Sequence, residues 1–92
     1  MISIMTWSRN PRVAWQVFGH EAVLVHLVSG QSLGLNATGG FIWSQIDEQP
    51  IDEIGLSLAS QHGISAADAR SDVAELVELL AAEGFLIRAG EK

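Results

Sequence analysis

Gln31-Ser32-Leu33-Gly34-Leu35-Asn36-Ala37-Thr38-Gly39-Gly40-Phe41-Ile42-Trp43 is the stretch in which the hydrophobic period of the chain changes. Leu33 and Leu35 alternate with small or polar residues, the period of two that a half-buried strand needs. After Asn36 the apolar residues Ile42, Trp43 and Ile46 recur on one face of a 3.6-residue helix. Asn36 is itself a residue type that starts helices, because its side chain accepts one of the unpaired N–H groups of the first turn. Strand passes into helix at this point, so the N-terminal side of Asn36 is read as β and the C-terminal side as α.

Working back towards the N-terminus, Val13, Trp15 and Val17 alternate with Ala14, Gln16 and Phe18. Gly19-His20 comes next, and then Ala22 to Val28, almost entirely apolar and β-branched, with His26 inside it. Ser29-Gly30 separates this run from Gln31 to Leu35. Three strands with two short turns predict an antiparallel meander. Residues 1–11 are polar and irregular around Trp7 and close at Pro11, so a loose lead-in is expected there. Towards the C-terminus, Pro50 suits the first turn of a second helix, with Asp52 and Glu53 well placed against its dipole. Ile51, Ile54, Leu58 and Ala59 form its apolar stripe, and Gly63 ends it. Ser65-Ala66-Ala67-Asp68 reads as a capping box for a third helix. Ala69, Val73, Leu76, Val77 and Leu80 make the core face of that helix, Gly84 stops it, and Phe85-Leu86-Ile87 can pack as a turn of strand. The expected fold is α+β and winged-helix-like: a three-stranded antiparallel sheet followed by three helices that cover one face. Trp15, Phe18, Phe41, Trp43 and Phe85 are expected in the core and at its rim.

The chain has 92 residues, 48% of them hydrophobic and 17% charged, which makes one globular domain over residues 1–92. It has no apolar run of about 18 residues and no signal-peptide pattern, so the reading is cytoplasmic, with no membrane partner. Residues 1–46 carry Arg9 and Arg12 against Glu21, while residues 47–92 carry ten acids against Arg70, Arg88 and Lys92. A +1 half thus precedes a −7 half, and the acidic half repels phosphate backbones, which argues against nucleic acid as a partner.

Catalytic chemistry finds little support. There is no cysteine, hence no thiol nucleophile and no cysteine metal site. His20 falls in a turn, His26 on an outward strand position and His62 at a helix end, and none has a second ligand one helical turn away. No Gly-x-Ser-x-Gly elbow is present. Gly34, Gly39 and Gly40 lie at the strand-to-helix junction in neither a dinucleotide nor a Walker spacing, so they are read as close packing of the helix start on the sheet. The chain is expected not to be an enzyme, with no catalytic residue, no metal and no cofactor.

Two surface features stand out. The third strand, Gln31 to Leu35, ends the meander and carries no charge and no proline, so its open backbone groups are undefended. Such an edge is either covered or used for pairing with another chain. The third helix carries Asp68, Asp72, Glu75, Glu78 and Glu83 against Arg70 alone, with Leu79 off the core face. That face is either simply solvated or an acidic groove wall with one apolar anchor.

Leu35-Asn36-Ala37-Thr38-Gly39 leading into Ile42-Trp43, then Ile46-Asp47, Ile51-Asp52-Glu53-Ile54, Leu58-Ala59, Ala69, Asp72-Val73, Leu76, Leu80 and Gly84-Phe85-Leu86 resemble the PqqD family. The fold of that family is also called the RiPP recognition element. With the three strands, the resemblance covers roughly residues 12–88. It implies a non-catalytic peptide chaperone, not an enzyme, that binds the leader of a ribosomally made precursor peptide and presents it to a modifying enzyme. That enzyme is a radical-SAM protein or a leader peptidase, in pyrroloquinoline quinone, lasso-peptide or other modified-peptide biosynthesis. The resemblance further implies that the leader adds as a strand to Gln31, Ser32, Leu33, Gly34 and Leu35, facing Asp72, Glu75, Leu79 and Glu83. The short tail after Gly84 is expected to mark a stand-alone carrier. Two other readings remain open: a winged-helix DNA-binding regulator, which the acidic third helix disfavours, and a small scaffolding subunit of an enzyme complex.

Overall fold

The computed structural model describes residues 7–47 and 49–88. Its elements run β1 (Trp7–Arg9), β2 (Val13–Phe18), β3 (Glu21–His26), β4 (Ser32–Leu35), α1 (Ala37–Gln45), α2 (Ile51–His62), α3 (Ala66–Ala82) and β5 (Leu86–Arg88). The meander is present as an antiparallel sheet in the order β2-β3-β4. Trp15 lies opposite Leu24 and Leu24 opposite Leu33, while Val17 and Leu35 flank Ala22 on either side. These pairs share one sheet face, and α1 lies directly on β3 and β4 across it.

Four helix boundaries have the local cause expected of them. Asn36 accepts the Gly39 N–H at 2.9 Å, and Ser65 accepts the Asp68 N–H at 3.0 Å. Gly63 and Gly84 take positive φ, 66° and 85°, at the ends of α2 and α3, the left-handed cap that favours glycine. One core results. Ala22, Leu24 and Leu35 from the sheet meet Ile42, Trp43 and Ile46 of α1. Ile54 and Leu58 of α2 and Ala69, Val73, Val77 and Leu80 of α3 complete it, with Phe85 and Leu86.

Gly40 shows how tightly α1 is seated. A methyl group at this position would collide with the backbone carbonyl oxygen of His20 in the β2–β3 turn. Helix propensity alone makes Gly40→Ala stabilising by about 1 kcal/mol. Backbone has little room to yield, so we expect the opposite sign, a loss of about 1–3 kcal/mol in urea denaturation. A stabilised variant would remove this account of the glycine.

Three expectations need correction. The lead-in is not loose where it is described; residues 1–6 lie outside the described residues. Trp7–Arg9 pairs antiparallel with Leu86–Arg88, a second sheet of two short strands. Polar contacts pin it. Arg9 donates from its backbone N–H to Asp47 at 2.8 Å and from Nη1 to the Trp43 carbonyl at 2.8 Å, and pairs with the Asp47 carboxylate at 3.1 Å. Asn10 donates to the Gly84 and Phe85 carbonyls.

The second correction concerns aromatic residues. Trp43 and Phe85 are fully buried and Phe41 packs against the core, but Trp15 is 43% and Phe18 56% exposed. Trp15 stands on β2 at the margin of α1, where the Arg9 guanidinium and the edge of Trp43 lie against it. Phe18 points to the outer face of the sheet, opposite Glu21. Third, the second strand stops at His26, not Val28. His26 accepts the Val28 N–H on Nδ1 and the Gly30 N–H on its carbonyl, which turns the chain and leaves Leu27 and Val28 exposed.

Candidate functional site

The register of the sheet decides which peptide groups of β4 are free. Leu27 N–H bonds the Arg12 carbonyl, so along β3 the residues Glu21, Val23 and Val25 bond towards β2. His26 N–H bonds the Gln31 carbonyl at 2.8 Å, so His26, Leu24 and Ala22 bond towards β4. Alternation then turns the groups of Gln31, Leu33 and Leu35 inward to β3. The N–H and C=O of Ser32 and of Gly34 face the open edge. Among the described residues, β4 has no second strand neighbour.

Side chains follow the same alternation. Leu35 is buried and Leu33 half-buried on the helix side, while Ser32 and Gly34 are exposed. Leu35 therefore supports the edge without offering it a backbone group, and Leu33 offers only a side chain.

The other edge strand, β2, is less free. Its open-side groups belong to Val13, Trp15 and Val17, and the Val13 N–H is already taken by the Asn10 carbonyl. Arg9 lies 4.9 Å over the Trp15 ring. The lead-in that sequence reading treats as loose thus blunts one end of this edge.

α3 and its C-cap Glu83 carry Asp72, the neighbours Glu75 and Leu76, Leu79 and Glu83, in steps of three or four residues that put them on one stripe. An open cleft of about 350 Å³ lies where this stripe meets the start of α1, lined by Asn36, Thr38, Ile42, Asp72, Leu76 and Leu79 among others. At the opposite end Gln31 Nε2 donates to Glu83 Oε1 at 2.7 Å. The two walls match in length. The eleven residue steps from Asp72 to Glu83 rise about 16 Å along the helix, and the five steps from Gln31 to Asn36 span about 16 Å of extended chain. Gln31, just before β4, thus meets Glu83 at the end of α3, and the cleft lies past the other end of β4, at Asn36.

Of the nine residues expected at the site, Asp72, Glu75 and Leu79 line the cleft and Gln31 and Glu83 bond each other. Ser32, Leu33, Gly34 and Leu35 run between the two without lining the cleft. Sequence reading misses Asn36, Thr38, Gly39, Ile42 and Leu76. Leu76 is expected on the core face, but it is half-buried and divides its contact between core and cleft. Its place at i+4 from Asp72 is the signal that would have revealed it.

The histidines take structural positions. His26 is half-buried, not outward: its ring meets Phe85 edge-on at 5.9 Å. His62 meets Phe41 at 5.7 Å, and His20 is exposed in its turn. Among the described residues no three His, Asp or Glu side chains converge as metal ligands would, and no helix is long and apolar enough to cross a membrane.

A three-stranded meander followed by three helices, with an open edge facing the last long helix, defines a class of small α+β domains, and comparison places the chain within it. The family model described as coenzyme PQQ synthesis protein D (PqqD) matches residues 21–86, and the chain belongs to the PqqD family. Two solved structures share the fold. TbiB1 in complex with the TbiA(beta) leader peptide is 25% identical, with a TM-score of 0.78 over 91% of this chain and 96% of that one. A lasso peptide synthetase B1 complexed with the leader peptide is 24% identical, with a TM-score of 0.79 over 88% and 96%. No curated protein matches the sequence.

Proposed function

We propose that this chain is a non-catalytic leader-binding protein. It takes up the leader of a ribosomally made precursor peptide as an added strand on β4 and presents it to a modifying enzyme. The single observation that carries this reading is the pair of outward-facing peptide units, Ser32 and Gly34, set beside an acidic helix wall of matching length. Strand addition supplies affinity through main-chain bonds, and the helix wall reads alternate side chains. Membership of the PqqD family supports it, as do the leader peptides bound by TbiB1 and the lasso peptide synthetase B1. The acidic wall also weighs against duplex DNA, whose phosphates it would repel.

The experiment is titration of the isotope-labelled chain with synthetic leader peptides, beginning with the TbiA(beta) leader bound by TbiB1. Amide shifts should concentrate on Ser32–Leu35 and on the stripe from Asp72 to Glu83. Affinity should fall roughly two- to fivefold from low to high ionic strength, because the charges involved are exposed and screened. Saturable binding with shifts confined to the outer sheet face or to α2 would place the site elsewhere.

A further inference from the structure

We propose, resting on strand addition at β4, that the groove selects a peptide with a lysine or arginine two residues from an apolar side chain, the cation resting at Asp72 and Glu75. A strand added to β4 exchanges its main-chain bonds with Ser32 and Gly34. Its residues opposite those two point to the outer face, and its residues opposite Leu33 and Leu35 turn towards the helices. Two inward positions, two residues apart, therefore meet two different surroundings.

Opposite Leu33 the surface is apolar: Leu33 is half-buried and packs against the core. An apolar residue fits there. Opposite Leu35 the chain stands over the cleft, where Ile42 and Leu76 line an apolar floor and Asp72 and Glu75 stand on the α3 wall. Among the described residues the one ion pair is Arg9 with Asp47, so Asp72 and Glu75 have no cation partner. Arg70, the only base on α3, has its backbone against Gly55 of α2, away from this stripe. A long side chain with an apolar stem and a cationic head satisfies both surfaces at once. An acidic residue would add a third negative charge, and a short apolar one would leave both carboxylates uncompensated.

The probe is a displayed library of random short peptides, selected against the full chain and, separately, against the Asp72→Asn/Glu75→Gln double variant. Both single variants are carried alongside, with circular dichroism as the folding control. Peptides selected on the wild type should carry Lys or Arg two positions from an apolar residue. In a synthetic copy of one such peptide, changing that base to glutamine should weaken binding about fivefold on the wild type and not at all on the double variant. If the basic preference persists on the double variant, or peptides lacking it are selected yet lose binding to Gly34→Pro, the anchor is wrong and strand addition stands. If the folded wild type selects no peptide at all, both readings fall.

Discussion

Gly34→Pro is expected to abolish peptide binding while leaving the domain folded. The Gly34 N–H faces the open edge, so proline removes a donor that the folded chain does not use and an added strand does. Nothing lies within 4 Å of where its side chain would start. Proline is best tolerated on edge strands, so the fold should survive at a cost of a few kcal/mol at most. Ser32→Pro should behave alike, because its amide points the same way.

Two controls isolate the cause. Gly34→Ala keeps the donor and should bind as wild type does. Leu33→Pro removes a donor that pairs with Leu24 and sets the ring on the wrong side of the ladder. It should lose about 3 kcal/mol or more and unfold much of the population. Binding by fluorescence titration and folding by circular dichroism separate these outcomes. Full binding by both Ser32→Pro and Gly34→Pro would exclude β4 as the pairing edge.

The second large effect falls on two adjacent residues of α3. Leu80 is fully buried, and Leu80→Asp places a carboxylate in the core with no partner, at a cost of several kcal/mol. A domain of this size has a stability on the order of 5–10 kcal/mol, so the variant should be largely unfolded. Leu79, one residue earlier, lines the cleft and is 45% exposed. Leu79→Asp should leave the domain folded, with a stability loss within about 1 kcal/mol, and weaken peptide binding about tenfold. Leu76→Asp belongs between them, since Leu76 packs on the core and also lines the cleft; it should lose part of both properties. If Leu79→Asp binds peptide like the wild type, the α3 stripe is not a groove wall.

The change of period at Asn36, the two-residue turn at Gly19-His20 and the caps at Asn36, Gly63, Ser65 and Gly84 were legible in the chain because each acts within about four residues of itself. The undefended third strand and the acidic third helix were legible for the same reason. Charge and the absence of proline are properties of single residues, and helical spacing turns them into faces. The residues that carry the family resemblance belong to these same elements.

What joined them was not legible. The pairing of Trp7–Arg9 with Leu86–Arg88 links the two ends of the chain through three-residue strands, too short for any periodicity to announce. It forms because the core brings those ends together and because Arg9 finds the Trp43 carbonyl and Asp47 at the end of α1. The exposure of Trp15 depends on where α1 ends its contact with the sheet, that of Phe18 on a register that turns it to the outer face, and the cleft at Leu76 on the distance between α1 and α3. The sequence by itself determined the meander and the three helices, their order, the open edge and the acid on the third helix. Only the tertiary structure decided that the Ser32 and Gly34 amides face outward, that Gln31 bonds Glu83, and that Asp72 and Glu75 line a cleft with Asn36 and Ile42. Those outcomes require residues from remote parts of the chain to be set within hydrogen-bonding distance, and only packing around a shared core does that.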